Sequence, residues 1–103
     1  MGSLPVNVSV RSAQDLRQVN AVAVDPRNPK IVFAVGPAGV FRSDDAGLEW
    51  QPRGQGLTNA TIVALALNPG QPDILFTATA EGALFRSDDA AQSWQSVANA
   101  SSR

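Results

Sequence analysis

The sequence predicts an all-β chain of two four-stranded antiparallel units in tandem. Three observations predict it. The chain repeats itself once, with residues 21–39 matching 64–82 and residues 40–51 matching 84–95, and 15 of these 31 pairs are identical. Each copy breaks into short apolar runs of strand length, rich in Val, Ile, Leu and Phe. No stretch carries an apolar period of 3.6 long enough to make a helix compete.

Taken in order, the first strand of each copy falls at Val19–Val24 and Ile62–Leu67. Both are apolar at nearly every position, so both faces are expected to be covered by neighbouring sheets. The second falls at Ile31–Val35 and Ile74–Ala78, the third at Val40–Ser43 and Leu84–Ser87, and the fourth begins at Trp50 and Trp94. The punctuation agrees. Asp25-Pro-Arg-Asn-Pro29 and Asn68-Pro-Gly-Gln-Pro72 separate the first two strands, where proline withholds a ladder N–H. Gly39 and Gly82 mark the next turn, where a positive φ is cheap only for glycine. Residues 53–60, RGQGLTNA, read as a polar link.

The repeat period is 43 residues before the insertion at Ala83 and 44 after it. That length matches a four-stranded β-propeller blade of roughly 40–45 residues. The chain divides into an N-terminal segment, 1–18, one blade over 19–60 and a second over 61–103. Val6, Val8 and Val10 alternate in the N-terminal segment, which predicts one strand more than two blades need.

Composition limits the chemistry. With 44% hydrophobic and 17% charged residues the chain reads as an ordinary globular protein. Its formal net charge is -1 and its Lys and Arg are scattered, so nucleic acid is not an expected partner. No apolar run reaches the roughly 18 residues that span a bilayer, so no membrane partner is expected. There is no Cys, His or Tyr. That removes thiolate and imidazole chemistry and most transition-metal sites, and no cofactor is expected. Asn-x-Ser/Thr sequons at Asn7, Asn59 and Asn99 are short enough to arise by chance.

Two segments carry a motif: Ser43-Asp44-Asp45-Ala46-Gly47-Leu48-Glu49-Trp50 and Ser87-Asp88-Asp89-Ala90-Ala91-Gln92-Ser93-Trp94. Each resembles the Asp box, or BNR repeat, with its pattern Ser-x-Asp-x-Gly-x-Thr-Trp. Sialidases, sortilin-type receptors, some xyloglucan-degrading enzymes and photosystem II assembly factors carry it. The resemblance implies a hairpin between the third and fourth strands of each blade. It implies that Ser43 and Ser87 start the turn, that Asp45 and Asp89 accept hydrogen bonds from loop N–H groups, and that Trp50 and Trp94 pack beneath. The pattern's Gly is kept at Gly47 and replaced by Ala91, so a positive φ there strains the second loop. On that ground Trp94→Ala is expected to do less harm than Trp50→Ala.

Each of these residues also has a functional reading. Asp44-Asp45 and Asp88-Asp89 could hold a cation, but two carboxylates are a thin shell for Ca²⁺, which takes about six to eight oxygens. Turn stabilisation is the better reading, and no metal is expected. Trp50 and Trp94 could be sugar platforms, but the motif makes them core. Arg42 and Arg86 could bind an anion, but they alternate with Phe41 and Phe85 along a strand, which favours a surface ion pair. Glu49 and Glu81, the only glutamates, fall in turns and do not make a glycosidase carboxylate pair. No catalytic residue is assigned.

Two blades are too few for a propeller, which typically has about four to eight. Each blade buries its faces only against neighbours. The expected partner is therefore the chain itself, closing a β-propeller by homo-oligomerisation. A trimer with six blades is favoured, and a tetramer with eight comes next. The leading expectation is a non-catalytic, self-assembling scaffold, and a repeat this clean also suits an engineered or reconstructed half-unit. A glycan-binding, lectin-like propeller is the alternative, and a glycoside hydrolase fragment comes third.

Overall fold

The computed structural model describes residues 18–57 and 61–97. The alternating Val6–Val10 strand and the three sequons lie outside the described residues. The rest is all-β: β1 (Ala21–Val24), β2 (Val32–Gly36), β3 (Gly39–Ser43), β4 (Gln51–Pro52), β5 (Ile62–Leu67), β6 (Leu75–Thr79), β7 (Leu84–Ser87) and β8 (Gln95–Ser96). They form two antiparallel four-stranded sheets in the orders β1-β2-β3-β4 and β5-β6-β7-β8.

Side chains on opposed positions share a face, because successive residues of a strand alternate sides. In sheet one, Ala23, Phe33 and Arg42 line up across three strands, as do Ala21, Val35 and Val40. The opposite face carries Val22, Ala34 and Phe41, with Val24, Val32 and Ser43 beside them. Sheet two repeats the arrangement. Ala66, Phe76 and Arg86 share one face with Ala64, Ala78 and Leu84. Leu65, Thr77 and Phe85 share the other with Leu67, Leu75 and Ser87.

The sheets stack face to face. Phe33, Val35 and Val40 of sheet one meet Ile62, Leu75, Phe85, Ala91 and Trp94 of sheet two in one buried core, with Leu65 and Leu67 packed at its edge. A smaller cluster of Ala34, Phe41 and Trp50 occupies the other face of sheet one.

The structure departs from the sequence reading at the first strands. β1 begins at Ala21, and its residues alternate between half-buried and exposed. Val22 is 56% exposed and Val24 47%. The apolar run predicts burial on both sides, but among the described residues no sheet packs over Val22 and Val24. In β5 the register shifts between Ile62 and Ala64, leaving Val63 as an extra residue that turns outward. The fourth strands are only two residues long each.

Candidate functional site

Two places in this fold concentrate polar groups. One is the pair of acidic hairpins joining the third and fourth strands of each sheet. The other is a cleft between the sheets at their opposite end.

The first hairpin is organised by Ser43 and Asp45. Ser43 closes β3 and is buried. Its Oγ donates to Asp45 Oδ1 at 2.7 Å and accepts the Gly47 N–H at 2.8 Å. Asp45 Oδ1 also accepts the N–H groups of Leu48 at 3.1 Å and Glu49 at 2.9 Å. A short carboxylate is the group that can satisfy several donors in so tight a turn. These bonds favour the charged form, the Glu49 N–H most and the Ser43 hydroxyl next, and hold the Asp45 carboxyl below the usual carboxylate range.

The second hairpin repeats the plan with one substitution of partners. Ser87 Oγ donates to Asp89 Oδ1 at 2.8 Å and accepts the Ala91 N–H at 2.9 Å. Asp89 accepts one backbone donor, the Ser93 N–H at 2.9 Å, and its Oδ2 takes the Ser93 hydroxyl at 2.7 Å. That hydroxyl is the main reason the Asp89 carboxyl is also lowered, and the Ser93 N–H follows. Each hairpin is tied to the loop between the first two strands of its own sheet, by Ala46 N–H to Lys30 O and Ala90 N–H to Asp73 O.

The tight turns hold several residues in the left-handed region. Ala46, Ala90 and Ala91 have φ of 63°, 61° and 73°, and Gly47 has 96°. That region costs an L-residue roughly 1–2 kcal/mol. Ala91 therefore sits strained where the first copy has glycine. Its methyl group is fully buried in the inter-sheet core, which offsets part of that cost.

Asp44 and Asp88 point elsewhere. Each accepts a hydrogen bond from the arginine two residues before it, Arg42 Nε at 2.7 Å and Arg86 Nε at 2.6 Å. Each arginine also lies over a phenylalanine of its own sheet, Phe33 at 5.8 Å and Phe76 at 5.7 Å. Among the described residues no group of three or more carboxylates is gathered that could hold a metal ion.

The tryptophans differ more than the repeat implies. Trp50 is buried against Ala34 and Phe41, and its indole N–H donates to Gly47 O within its own hairpin at 3.0 Å. Trp94 is buried in the joint core, and its indole N–H crosses to Arg53 O in the inter-sheet link at 2.7 Å. Its backbone N–H donates to Gln55 O at 2.9 Å. Gly56, at φ 95°, has no Cβ to block the Trp94 carbonyl, so the link can lie against the second hairpin. On these contacts the larger loss is expected from Trp94→Ala, opposite to the order expected from the sequence, because Trp94 holds two sheets and a link while Trp50 holds one sheet.

The sequence reading took Arg42 as half of a surface ion pair and missed that it also donates to Ala90 O of the other sheet at 3.2 Å. It missed two further groups that join the sheets: Asn20 Nδ2 donates to Ile62 O at 2.9 Å, and Arg27 lies 3.5 Å from Asp73. Asn20 aligns with Val63 and Arg27 with Gly70, so neither residue is marked by what the copies share.

The cleft has a volume of about 360 Å³ and lies between the β2–β3 turn and the start of sheet two. Pro37, Gly39, Val40, Leu57, Thr61 and Glu81 are on its walls, and Glu81 supplies the single carboxylate. The Asp45 and Asp89 hairpins are at the far end of the strands, so the structure does not bring them to this cleft.

No family model matches the chain, and no curated protein matches it significantly. Solved structures do. The fold is similar to that of an ancestral GH74 enzyme, with a TM-score of 0.64 and 24% identity over 78% of this chain and 12% of that one. It is also similar to the GH74 xyloglucanase from Xanthomonas campestris, with a TM-score of 0.61 and 20% identity over 75% of this chain and 14% of that one. At such identities the likeness is one of fold, and this chain spans about an eighth of the length of either enzyme. The two four-stranded antiparallel sheets are those of a partial β-propeller.

Proposed function

We propose that the chain is a non-catalytic, Asp-box propeller module whose copies assemble into a closed ring, a trimer with six blades first and a tetramer with eight next. The observation that carries the non-catalytic reading is how the hairpin carboxylates are used. Asp45 and Asp89 direct their hydrogen bonds to their own loops, and Asp44 and Asp88 pair with the adjacent arginines. Acids committed in this way hold their own turns together. The same Ser–Asp network built twice, each time above a buried Trp, supports the Asp-box assignment.

Ring formation is supported by the outer apolar faces: Phe76, Ala78 and Leu84 of sheet two are only half-buried, and Val22 and Val24 of sheet one are exposed, with no sheet over them among the described residues. Light scattering on the full chain tests it. Masses of three or four chains support the ring, and a folded monomer across micromolar concentrations would remove it.

A second reading is favoured by the neighbours, both of which are GH74 enzymes and one a xyloglucanase. On this reading the cleft beside Glu81 is part of a glycan-binding surface in a carbohydrate-active propeller. Hydrolysis through paired carboxylates needs a second one facing the first at about 5–10 Å, and Glu81 stands alone among the cleft residues. Binding is therefore the form in which this reading is proposed. Calorimetric titration with xyloglucan oligosaccharides tests it, and saturable heat that Glu81→Ala abolishes would establish it over the scaffold reading.

A further inference from the structure

The joint between the two sheets is a template for a second joint that this chain carries in two separated halves. Within the chain, sheet one presents Phe33, Val35 and Val40, all at most 2% exposed. Sheet two receives them on the face that carries Leu65 and Leu67. Arg42 locks the joint. Its guanidinium is oriented by Asp44 and by the Phe33 ring, and it donates across to the carbonyl of Ala90, one of the residues held at positive φ.

Every part of this lock recurs in the other copy. On sheet two the free face presents Phe76, Ala78 and Leu84 at the positions of Phe33, Val35 and Val40. These three are only half-buried, beside a shallow recess of about 130 Å³. Arg86 is oriented as Arg42 is, by Asp88 at 2.6 Å and by the Phe76 ring at 5.7 Å. Among the described residues nothing lies beyond it: its side chain is 46% exposed, against 16% for Arg42. On sheet one, Val22 and Val24 stand where Leu65 and Leu67 stand and are exposed. Ala46 stands where Ala90 stands, with φ of 63° against 61°.

The geometry points to a second copy of this chain as the occupant of the Phe76–Leu84 face, docked head-to-tail, with Arg86 donating to the Ala46 carbonyl of that copy and the apolar face resting on its Val22 and Val24. The inference rests on the self-assembly reading above and specifies the joint. Donor and acceptor halves lie on different faces, so the contact is heterologous and propagates until it closes. The new joint is a weaker copy of the internal one. The Asn20 bond to Ile62 O and the Arg27–Asp73 pair have no counterparts, because Val63 and Gly70 stand at the first positions and Lys30 at the last. Assembly should therefore depend on concentration.

Two exposed substitutions in the full chain separate the halves: Arg86→Glu spoils the donor side, and Val22→Asp spoils the receiving side. Sedimentation equilibrium is run on the wild type, on each variant and on an equimolar mixture of the two. The expected result is an assembled wild type, self-association weakened roughly tenfold or more in each variant alone, and a one-to-one dimer in the mixture, since each variant supplies the half the other lacks. Circular dichroism melts confirm that both variants are folded. If both self-assemble like the wild type, this joint is wrong while ring formation stands, and the face belongs to another occupant. If each is monomeric and the mixture stays so, the head-to-tail geometry is wrong. A monomeric wild type overturns the ring reading and this inference with it.

Discussion

Replacing Trp94 by alanine should cost more stability than replacing Trp50, although the repeat makes the two residues equivalent. Trp94 is 4% exposed and packs in the core that contains Phe33 and Val40 of one sheet and Leu75 and Phe85 of the other. Truncating a buried Trp costs roughly 3–5 kcal/mol, the transfer energy of the lost atoms plus the cavity they leave. The Arg53 carbonyl also loses its indole donor, about 1 kcal/mol. A small domain has only about 5–15 kcal/mol in total, so Trp94→Ala should consume a large part of it and loosen the sheets from each other. Trp50→Ala removes the same side chain from a smaller cluster within sheet one, and should fall at the low end of the range. The assay is denaturant unfolding followed by circular dichroism and by fluorescence. The chain has two tryptophans, so each variant keeps a single reporter in the opposite sheet. Trp94→Phe serves as a control that keeps most of the volume and loses only the donor. An equal or larger loss from Trp50→Ala would refute the reasoning, because it would mean that the inter-sheet core is not where the stability resides.

Other outcomes follow from the hairpins and the core. Asp45→Ala should lower the melting temperature more than Asp44→Ala, since Asp45 accepts from two loop N–H groups and a buried hydroxyl while the exposed Asp44 accepts from Arg42; equal shifts would contradict this. The folded-state carboxyls of Asp45 and Asp89 are lowered from an ordinary 3.8, so their contribution is complete above that pH and is lost as pH falls through the lower folded values. Acid titration of Asp45→Asn should accordingly show a smaller loss of stability below pH 3.8 than the wild type. Gly47→Ala should cost about 1–2 kcal/mol for its positive φ, whereas Ala91→Gly should change the urea midpoint little, because the strain it relieves is offset by about 0.8 kcal/mol of lost methyl burial. Thr77 Oγ1 is buried with no hydrogen-bond partner among the described residues, so Thr77→Val should raise stability by roughly 1 kcal/mol, as read from denaturant midpoints.

Much of the local organisation is legible in the order of the residues. Seven of the eight strands begin within one residue of where the apolar runs and proline breaks place them. The exception is β1, whose start shifts from Val19 to Ala21. The turn role of the hairpin acids is what the resemblance of their segments to the Asp box implies, and the Asp45 carboxylate does bond the N–H groups three and four residues on within the same short segment. Local chemistry of this sort is written in consecutive residues.

The sequence by itself determined the all-β class, the two-fold repeat and the strand order within each sheet. All of these depend on periodicity, on turn residues or on counting, which act over a few residues or over whole copies. Only the tertiary structure decided which face of each sheet is covered. Every residue of β1 is apolar, which gives both faces an equal claim to burial, so Val22 and Ala23 cannot be told apart in sequence. The tertiary structure likewise decided that Trp94 is bound to the inter-sheet link and that Arg42 reaches Ala90 while its twin, Arg86, reaches no second sheet among the described residues. Identical residues in identical local settings differ here because, among the described residues, one has a sheet beside it and the other does not, and that difference exists only in three dimensions.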